Sequence, residues 1–359
     1  MILLQSEWLF FTLEKLILII VIVFTTLGIA LYTTFGERKV AAILQDRPGP
    51  NRAGPFGLLQ PLADGVKMFT KEEIIPTHAS KWLFILGPGL AMVAALMTCS
   101  VIPWGGTIDL SAIGIDRKVS LQIADLNIAI LYSFAVVSMG VYGIMIGGWA
   151  SNNKFSLMAA LRGASQAISY ELPMGLSLIA LLFITGSLSL GEILTQQQQG
   201  LWNIVYQPIG FLIFFICSLA ECNRTPFDLP EAENELNFGY HQEYSSMKLG
   251  FYLFAEYINM IMSSALMATM YFGGSDVPFV DDTALQAAWG NWATLCQVGT
   301  LLLKITIFIF VFMWIRWTIP RFRYDQLMNL GWKTLVPLAL ANMIVTGAFV
   351  LYKAYGWPF

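Results

Sequence analysis

The sequence predicts an all-α polytopic membrane protein, and three observations lead to that fold class. Of the 359 residues, 57% are hydrophobic and only 12% are charged, whereas a soluble domain carries about a quarter charged residues. The mean hydropathy is +0.65, and apolar runs of about 20 residues or more recur along the chain. Because lipid cannot hydrogen-bond the backbone, these runs should be helices.

Eight transmembrane helices are expected when uninterrupted or singly interrupted apolar stretches are counted. They belong to one membrane domain, residues 1–359, with spans near 13–35, 82–103, 125–149, 157–186, 201–220, 249–273, 292–315 and 334–352. The first span is too long for the apolar part of a signal peptide and has no small-residue cleavage site. We therefore expect it to be retained as a helix.

The basic residues predict the orientation of these helices. The loops at 36–81, 150–156, 221–248 and 316–333, with the adjoining helix ends, hold 15 of the 20 Lys and Arg residues. By the positive-inside rule these loops face the cytoplasm, and both termini lie on the non-cytoplasmic side. The bacterial cytoplasmic (inner) membrane is the expected location, with the mitochondrial inner membrane as the alternative.

Composition argues against two classes of ligand. The net charge is only −3, so no nucleic-acid partner is indicated. The two His and four Cys form neither a CxxC nor an HxxxH pattern. The sequence therefore predicts no zinc, haem or iron–sulfur site on this chain.

An amphipathic helix is predicted at Phe56–Lys71, within the longest inner loop. Its apolar face consists of Phe56, Leu59, Leu62, Val66 and Phe69. A helix of this kind lies in the membrane interface with its apolar face toward the acyl chains. Two interpretations stay open: a surface helix that anchors the loop, or a lip over an opening through which a lipid-like molecule enters.

Several charged residues fall inside the apolar spans, namely Arg162 and Glu171 in the fourth, Glu221 at the end of the fifth, Glu256 in the sixth and Lys304 in the seventh. Membrane-insertion scales assign a free-energy cost of about 2.5–3.5 kcal/mol to an Asp, Lys or Arg at the centre of a transmembrane helix. A buried carboxylate can instead take up a proton and so carry it. The alternative is structural pairing, for instance of Lys304 with a Glu of a neighbouring helix.

An acid-rich loop follows the fifth span. Asp228 and Glu231 have the spacing of a helix N-cap and its capping-box partner. That role does not explain Glu233 or Glu235. Glu231 and Glu235 form a like-charge pair at i,i+4, which weakens a helix and raises the pKa of at least one member. The cluster therefore favours proton handling.

Several stretches of this chain resemble one family, the H subunit (subunit 1 in mitochondria) of proton-pumping NADH:quinone oxidoreductase, respiratory complex I. The resemblance covers most of residues 36–333, in the order of the family. It is carried by Gly36-Glu-Arg-Lys-Val40, Arg47-Pro-Gly-Pro-Asn-Arg52, Gly54-Pro-Phe-Gly-Leu-Leu-Gln-Pro-Leu-Ala-Asp64, Ile168-Ser-Tyr-Glu171, Ala220-Glu-Cys-Asn-Arg-Thr-Pro-Phe-Asp-Leu-Pro-Glu231 and Pro320-Arg-Phe-Arg-Tyr-Asp-Gln-Leu327.

The resemblance implies a membrane subunit with eight transmembrane helices that forms most of a quinone access chamber. Quinone, either ubiquinone or menaquinone, is the implied substrate and enters laterally from the bilayer. FMN, iron–sulfur clusters and metals are expected on partner subunits only. The implied partners are hydrophilic quinone-site subunits, including the one that carries the terminal iron–sulfur cluster, together with small membrane subunits and antiporter-like pumping subunits.

The resemblance also implies two sets of site residues. The charges around the chamber and on the inner loops are Arg38, Arg47, Asp64, Arg224, Asp228, Glu231, Glu233, Glu235, Arg321 and Arg323. The proton path toward the pumping subunits comprises Glu171, Glu221 and Glu256.

Two other functions are compatible with buried carboxylates. One is the homologous membrane subunit of an energy-converting hydrogenase or ferredoxin-linked complex, which its partner subunits would distinguish. The other is a stand-alone ion transporter. Transporters often contain inverted repeats with paired broken helices, whereas the acidic segment of this chain occurs once.

Overall fold

The computed structural model describes the backbone of residues 2–111, 117–278, 280 and 282–355. Side chains at 2–9, 233, 283, 284, 287, 354 and 355 lie outside this description. Helices account for most of the described residues, which confirms the all-α class. The strands of the described part form one short antiparallel hairpin, in which β1 (Thr107–Asp109) pairs with β2 (Lys118–Ser120) and Ile108 lies opposite Val119.

The α-helices of the described residues are, in chain order, α1 (Ile2–Leu44), α2 (Gln60–Thr70), α3 (Lys81–Met97), α4 (Ala129–Ala150), α5 (Lys154–Thr185), α6 (Leu190–Gln199), α7 (Asn203–Tyr206), α8 (Pro208–Glu221), α9 (Glu233–Leu236), α10 (Ser246–Tyr271), α11 (Asp282–Trp289), α12 (Asn291–Thr318), α13 (Tyr324–Asn329) and α14 (Val336–Tyr355). A π-helical segment at Leu330–Leu335 joins α13 to α14. Short 3₁₀ turns occur at Pro55–Gly57, Thr98–Ser100 and Gly239–His241.

Seven helical segments of the described chain are long and apolar enough to cross a membrane: Phe10–Leu44, Lys81–Ser100, Ala129–Ala150, Lys154–Thr185, Ser246–Tyr271, Asn291–Thr318 and Tyr324–Lys353. The polytopic membrane fold is thereby confirmed. The count of eight and the placement of the termini stay predictions.

The fifth predicted span, 201–220, is broken into α7 and α8. Helix α8 has 14 residues, about 21 Å of helix against a hydrocarbon core of about 30 Å. The break lies at Gln207, whose side chain donates a hydrogen bond to Thr346 (2.6 Å) and accepts one from Asn342 (2.9 Å), both on α14. Neighbouring side chains thus satisfy polar groups where the helix is interrupted.

Helix α1 extends further than predicted. The sequence predicted a span ending at Phe35 because charged residues follow, yet the helix continues through them to Leu44. The reason is that Glu37 is buried and paired with two arginines from distant parts of the chain, Arg224 and Arg316. The charge is thereby accommodated within the helix.

Helix α10 is the centre of the bundle. It is largely buried and packs against α1, α2, α3, α6, α8 and α12. Close approach to α3 and α4 depends on glycines: a Cβ at Gly147 would lie 1.9 Å from the Tyr252 hydroxyl. That hydroxyl donates a 3.0 Å hydrogen bond to the carbonyl of Gly143. Small residues at helix crossings are the usual route to close packing in membranes. Glu256 therefore lies on a firmly held helix.

Lys304 of α12 holds the far end of α10. Its Nζ donates three hydrogen bonds of 2.8 Å to the carbonyls of Phe272, Gly274 and Asp276, and it lies 4.7 Å from the ring centre of Trp202. The pairing with a glutamate considered from the sequence is not the arrangement observed. Carbonyls at and beyond the helix end have no intrahelical partner, so the contacts of Lys304 are structural.

Replacing Lys304 by Met is expected to lower stability by about 3 kcal/mol, because hydrogen bonds from a charged donor to buried carbonyls are lost. Thermal unfolding of the solubilised protein would measure this loss. Lys353→Met, at an exposed position of α14, is the matched control and should leave the melting temperature unchanged. Equal melting of the two variants would show that the three contacts contribute no stability.

Candidate functional site

The predicted amphipathic helix is present as the 3₁₀ turn Pro55–Gly57 followed by α2. Its apolar face is exposed within this chain, with fractional exposures of 49–82% for Phe56, Leu59, Leu62, Val66 and Phe69. The described chain covers this face with no other element, as expected of a helix whose apolar side meets lipid. Its position in a membrane interface stays a prediction.

The other side of α2 covers a cavity of about 250 Å³ between α1, α2, α10 and α12. Its apolar wall includes Leu31, Met68, Leu253, Phe254 and Trp317. Its polar residues are Glu37, Arg38, Asp64 and Tyr257. A mainly apolar cavity with a few convergent polar groups is the usual form of a small-molecule site.

Arg38 and Asp64, both predicted site residues, meet at this cavity. Arg38 Nη1 lies 2.7 Å from Asp64 Oδ2, and the Gln60 side chain donates to Asp64 Oδ1 at 3.1 Å. The Arg38 side chain is 51% exposed, so the pair contributes at most about 1 kcal/mol. The pair joins α2 to the C-terminal part of α1.

A buried ion cluster lies behind the cavity around Glu37, which sequence reasoning did not single out. Glu37 lies 2.6 Å from Arg316 and 3.3 Å from Arg224, and it accepts a 2.8 Å hydrogen bond from Tyr257. The Arg224 guanidinium stacks 4.3 Å from the Tyr257 ring centre. The sequence did contain a signal for Glu37. This residue directly follows the first apolar run, and it lies in a segment that carries the family resemblance.

Arg224 connects this cluster to the acid-rich loop. Burial lowers the pKa of its guanidinium, but Tyr257, Glu37, Glu256 and Glu231 together outweigh burial and raise that pKa above its usual value. Arg224 therefore interacts with acids on both of its sides, those of the cavity and those of the loop.

Asp228 does not cap a helix, contrary to the capping interpretation. Its buried carboxylate lies 2.9 Å from Arg321, and α9, the first helix in the described part of this loop, starts five residues later with Ala232 as its N-cap. Residues 229–231, between Asp228 and α9, form a turn and not the first turn of a helix. Burial, and next the charge of Glu231, raise the pKa of Asp228 to about 8, although Arg321 and Arg224 oppose them. Its proton is therefore exchangeable near neutral pH.

His241 is a second residue that the sequence did not single out. Its side chain is fully buried, with Nδ1 3.5 Å from Glu231 Oε1 and Nε2 3.9 Å from Glu256 Oε1. The neighbouring Tyr240 hydroxyl donates to Glu256 at 2.9 Å. Burial lowers the pKa of His241 to about 4, despite the opposing effect of Glu231, so the imidazole is neutral at pH 7. Its position between two acids becomes visible only in the fold.

The three predicted proton-path acids are connected by small voids. A void of about 30 Å³ is lined by Glu256, Glu221 and Asn259, and another of about 20 Å³ is lined by Glu221 and Glu171. Each has room for about one water molecule. Ser138 donates a 2.7 Å hydrogen bond to Glu171. Glu256, Glu221 and Glu171 therefore follow one another through the bundle.

The remaining predicted residues lie outside this series. Arg162 pairs with Glu235 at 2.7 Å. Arg47 and Arg323 are exposed on loops and do not line the cavity. The side chain of Glu233 lies outside the described part of the chain.

A larger cavity of the described residues lies elsewhere. It measures about 650 Å³ and is bounded by the end of α5, the break at Gln207 and α14. Its lining includes Lys353 but none of the predicted acids. Size alone therefore does not identify the candidate site.

Comparison with known proteins identifies the family of this chain. A family model described as NADH dehydrogenase matches residues 16–347. The chain is 63% identical to an H subunit of NADH-quinone oxidoreductase from Cytophaga hutchinsonii over 343 residues, 95% of this chain and 98% of that protein. It is 57% identical to the H subunit of the same enzyme from Flavobacterium johnsoniae, over 95% of this chain and 96% of that protein. The chain therefore belongs to the H-subunit family of NADH-quinone oxidoreductase, respiratory complex I.

Proposed function

We propose that this chain forms the membrane wall of the quinone access chamber of complex I and couples quinone reduction to proton translocation. The observation that carries the proposal is the continuity of the charged groups. Glu37 faces the cavity beneath α2 and contacts Arg224, which interacts in turn with Glu231 and Glu256. From Glu256 the acids continue through two small voids to Glu171.

The cavity suits a quinone with an isoprenoid tail, either ubiquinone or menaquinone. The tail would lie along the apolar wall, and the head group would meet the polar residues at the end of α1. The exposed apolar face of α2 supports its assignment as a lip in the inner leaflet of the bacterial cytoplasmic membrane, past which quinone moves from the lipid. Eight transmembrane helices and both termini outside complete the proposed topology.

The proposed coupling is electrostatic. Reduction of a quinone to a quinol takes up electrons and protons, and so changes the charge in a chamber of low dielectric, where pairwise interactions are strong. Nearby carboxylates change protonation or position in response. This change shifts the equilibrium between two conformations of the subunit. In this proposal the redox centres belong to hydrophilic partner subunits, which dock on the inner loops near Arg47 and Arg323. The acid series leads toward the pumping subunits.

Gly65→Leu tests the access role of α2. Gly65 lines the cavity, and a Cβ there would meet its nearest neighbour, Leu31, at 4.0 Å. The backbone therefore accepts a side chain, which would narrow the cavity. We expect NADH oxidation with long-tailed quinones to slow several-fold more than oxidation with short-tailed analogues, measured on the assembled complex.

The control is Ala63→Leu, on the same helix but exposed and outside the cavity lining. It should leave both rates near those of the unmodified complex. Equal loss with long and short quinones in Gly65→Leu would argue against an access path beneath α2.

A further inference from the structure

Glu231, His241 and Glu256 form a set of metal-ligand groups in the fold. One donor atom from each lies within 4.8 Å of the other two. An imidazole nitrogen and carboxylate oxygens are common ligands of Zn²⁺, and three protein ligands with one open position are typical of accessible zinc sites. The sequence predicted no metal site because these residues are widely separated and match no ligand spacing.

The imidazole supplies an independent indication of a ligand. The His241 side chain is fully buried, and neither of its nitrogens forms a hydrogen bond within the described part of the chain. Buried polar atoms are nearly always satisfied, and an unsatisfied one in a native structure indicates a missing partner such as an ion or water. His241 faces the two carboxylates that could share that partner.

The spacing fits an ion after small movements. Two ligands of a tetrahedral Zn²⁺ ion are about 3.4 Å apart, given bonds of about 2.1 Å. The separations from His241 are 3.5 Å to Glu231 and 3.9 Å to Glu256. The carboxylates face opposite ring nitrogens, yet one donor atom from each of the three residues lies within 4.8 Å of the other two, so small side-chain movements would bring both carboxylates to the same nitrogen. Glu231 is 16% exposed, which gives an ion a route from the inner side.

We propose that Glu231, His241 and Glu256 bind Zn²⁺ reversibly. The bound ion would tie the loop acid Glu231 to the membrane acid Glu256 through His241. Binding follows from the ligand geometry alone. An effect of binding on turnover rests in addition on the function proposed above.

The binding test compares His241→Gln with His78→Gln in the assembled complex. His78 is the other histidine of the chain and is exposed, so the same substitution there is a matched control. Cryo-EM maps would be compared after treatment with Zn²⁺ and after treatment with a chelator. We expect added density among the three side chains in the unmodified complex and in His78→Gln, and none in His241→Gln. Absence of that density from the unmodified complex would overturn the proposal.

The kinetic test separates the site from the proposed function. The Zn²⁺ concentration that halves quinone-dependent turnover should rise by about tenfold or more in His241→Gln, because loss of a direct ligand weakens binding at least as much as loss of an outer contact. It should stay unchanged in His78→Gln. Density at the site without inhibition would uphold the metal site and contradict the coupling role of these acids.

Discussion

Glu221→Gln is expected to lower proton translocation by the assembled complex by about tenfold or more, the scale at which loss of a proton-transferring group acts. The Oε2 atom of Glu221 is buried and has no hydrogen-bond partner within the described residues. It lines both of the small voids and so connects Glu256 to Glu171. Glutamine keeps the shape of the side chain but cannot release a proton. Assembly should therefore be preserved while transfer through this position stops.

Fluorescent pH-gradient measurements and NADH oxidation in inverted membrane vesicles would test this expectation. Glu192→Gln, at an exposed position of α6, is the matched control and should pump normally. Glu256→Gln should give a similar loss, and the double variant should be no worse than the stronger single one, since both would interrupt one path. Normal pumping by fully assembled Glu221→Gln would remove this residue from the path.

The sequence was sufficient to predict the fold class and most of the helices. In a membrane protein a long apolar run forms a helix because lipid cannot hydrogen-bond its backbone. The family resemblance placed Arg38 and Asp64 in one set of site residues, and the structure shows that their side chains form an ion pair. The sequence did not predict that the first helix continues to Leu44, because the burial of Glu37 depends on Arg224 and Arg316, which are distant in the sequence.

His241 illustrates the other limit of sequence reasoning. A single histidine in an acid-rich loop matches no pattern, and its placement between Glu231 and Glu256 depends on how that loop packs onto α10. The capping interpretation of Asp228 failed for a similar reason. Local spacing suggested a helix start, but residues 229–231 form a turn and the Asp228 carboxylate pairs with the distant Arg321. Hydrophobic periodicity predicts helices, but it does not predict which charged side chains meet in the folded chain.

Arg224→Met is expected to destabilise the subunit by about 3–5 kcal/mol, the usual cost of removing one partner of a buried ion pair. Arg224 is 5% exposed, lies 3.3 Å from the buried Glu37 and stacks on Tyr257. Methionine fills a similar volume, so the loss would be mainly electrostatic. Arg316 would remain as the only cation on Glu37 within the described part of the chain. Thermal inactivation of the solubilised complex would measure the effect.

Arg52→Met, at an exposed position of the loop between α1 and α2, is the control and should change stability little. Adding Glu37→Gln to Arg224→Met should restore part of the loss, because the uncompensated charge is then also removed. That recovery is the sign of a coupled pair, since independent sites add their effects. If the double variant instead lost the sum of the two single effects, the ion cluster would not be the element that joins the cavity to the acid-rich loop.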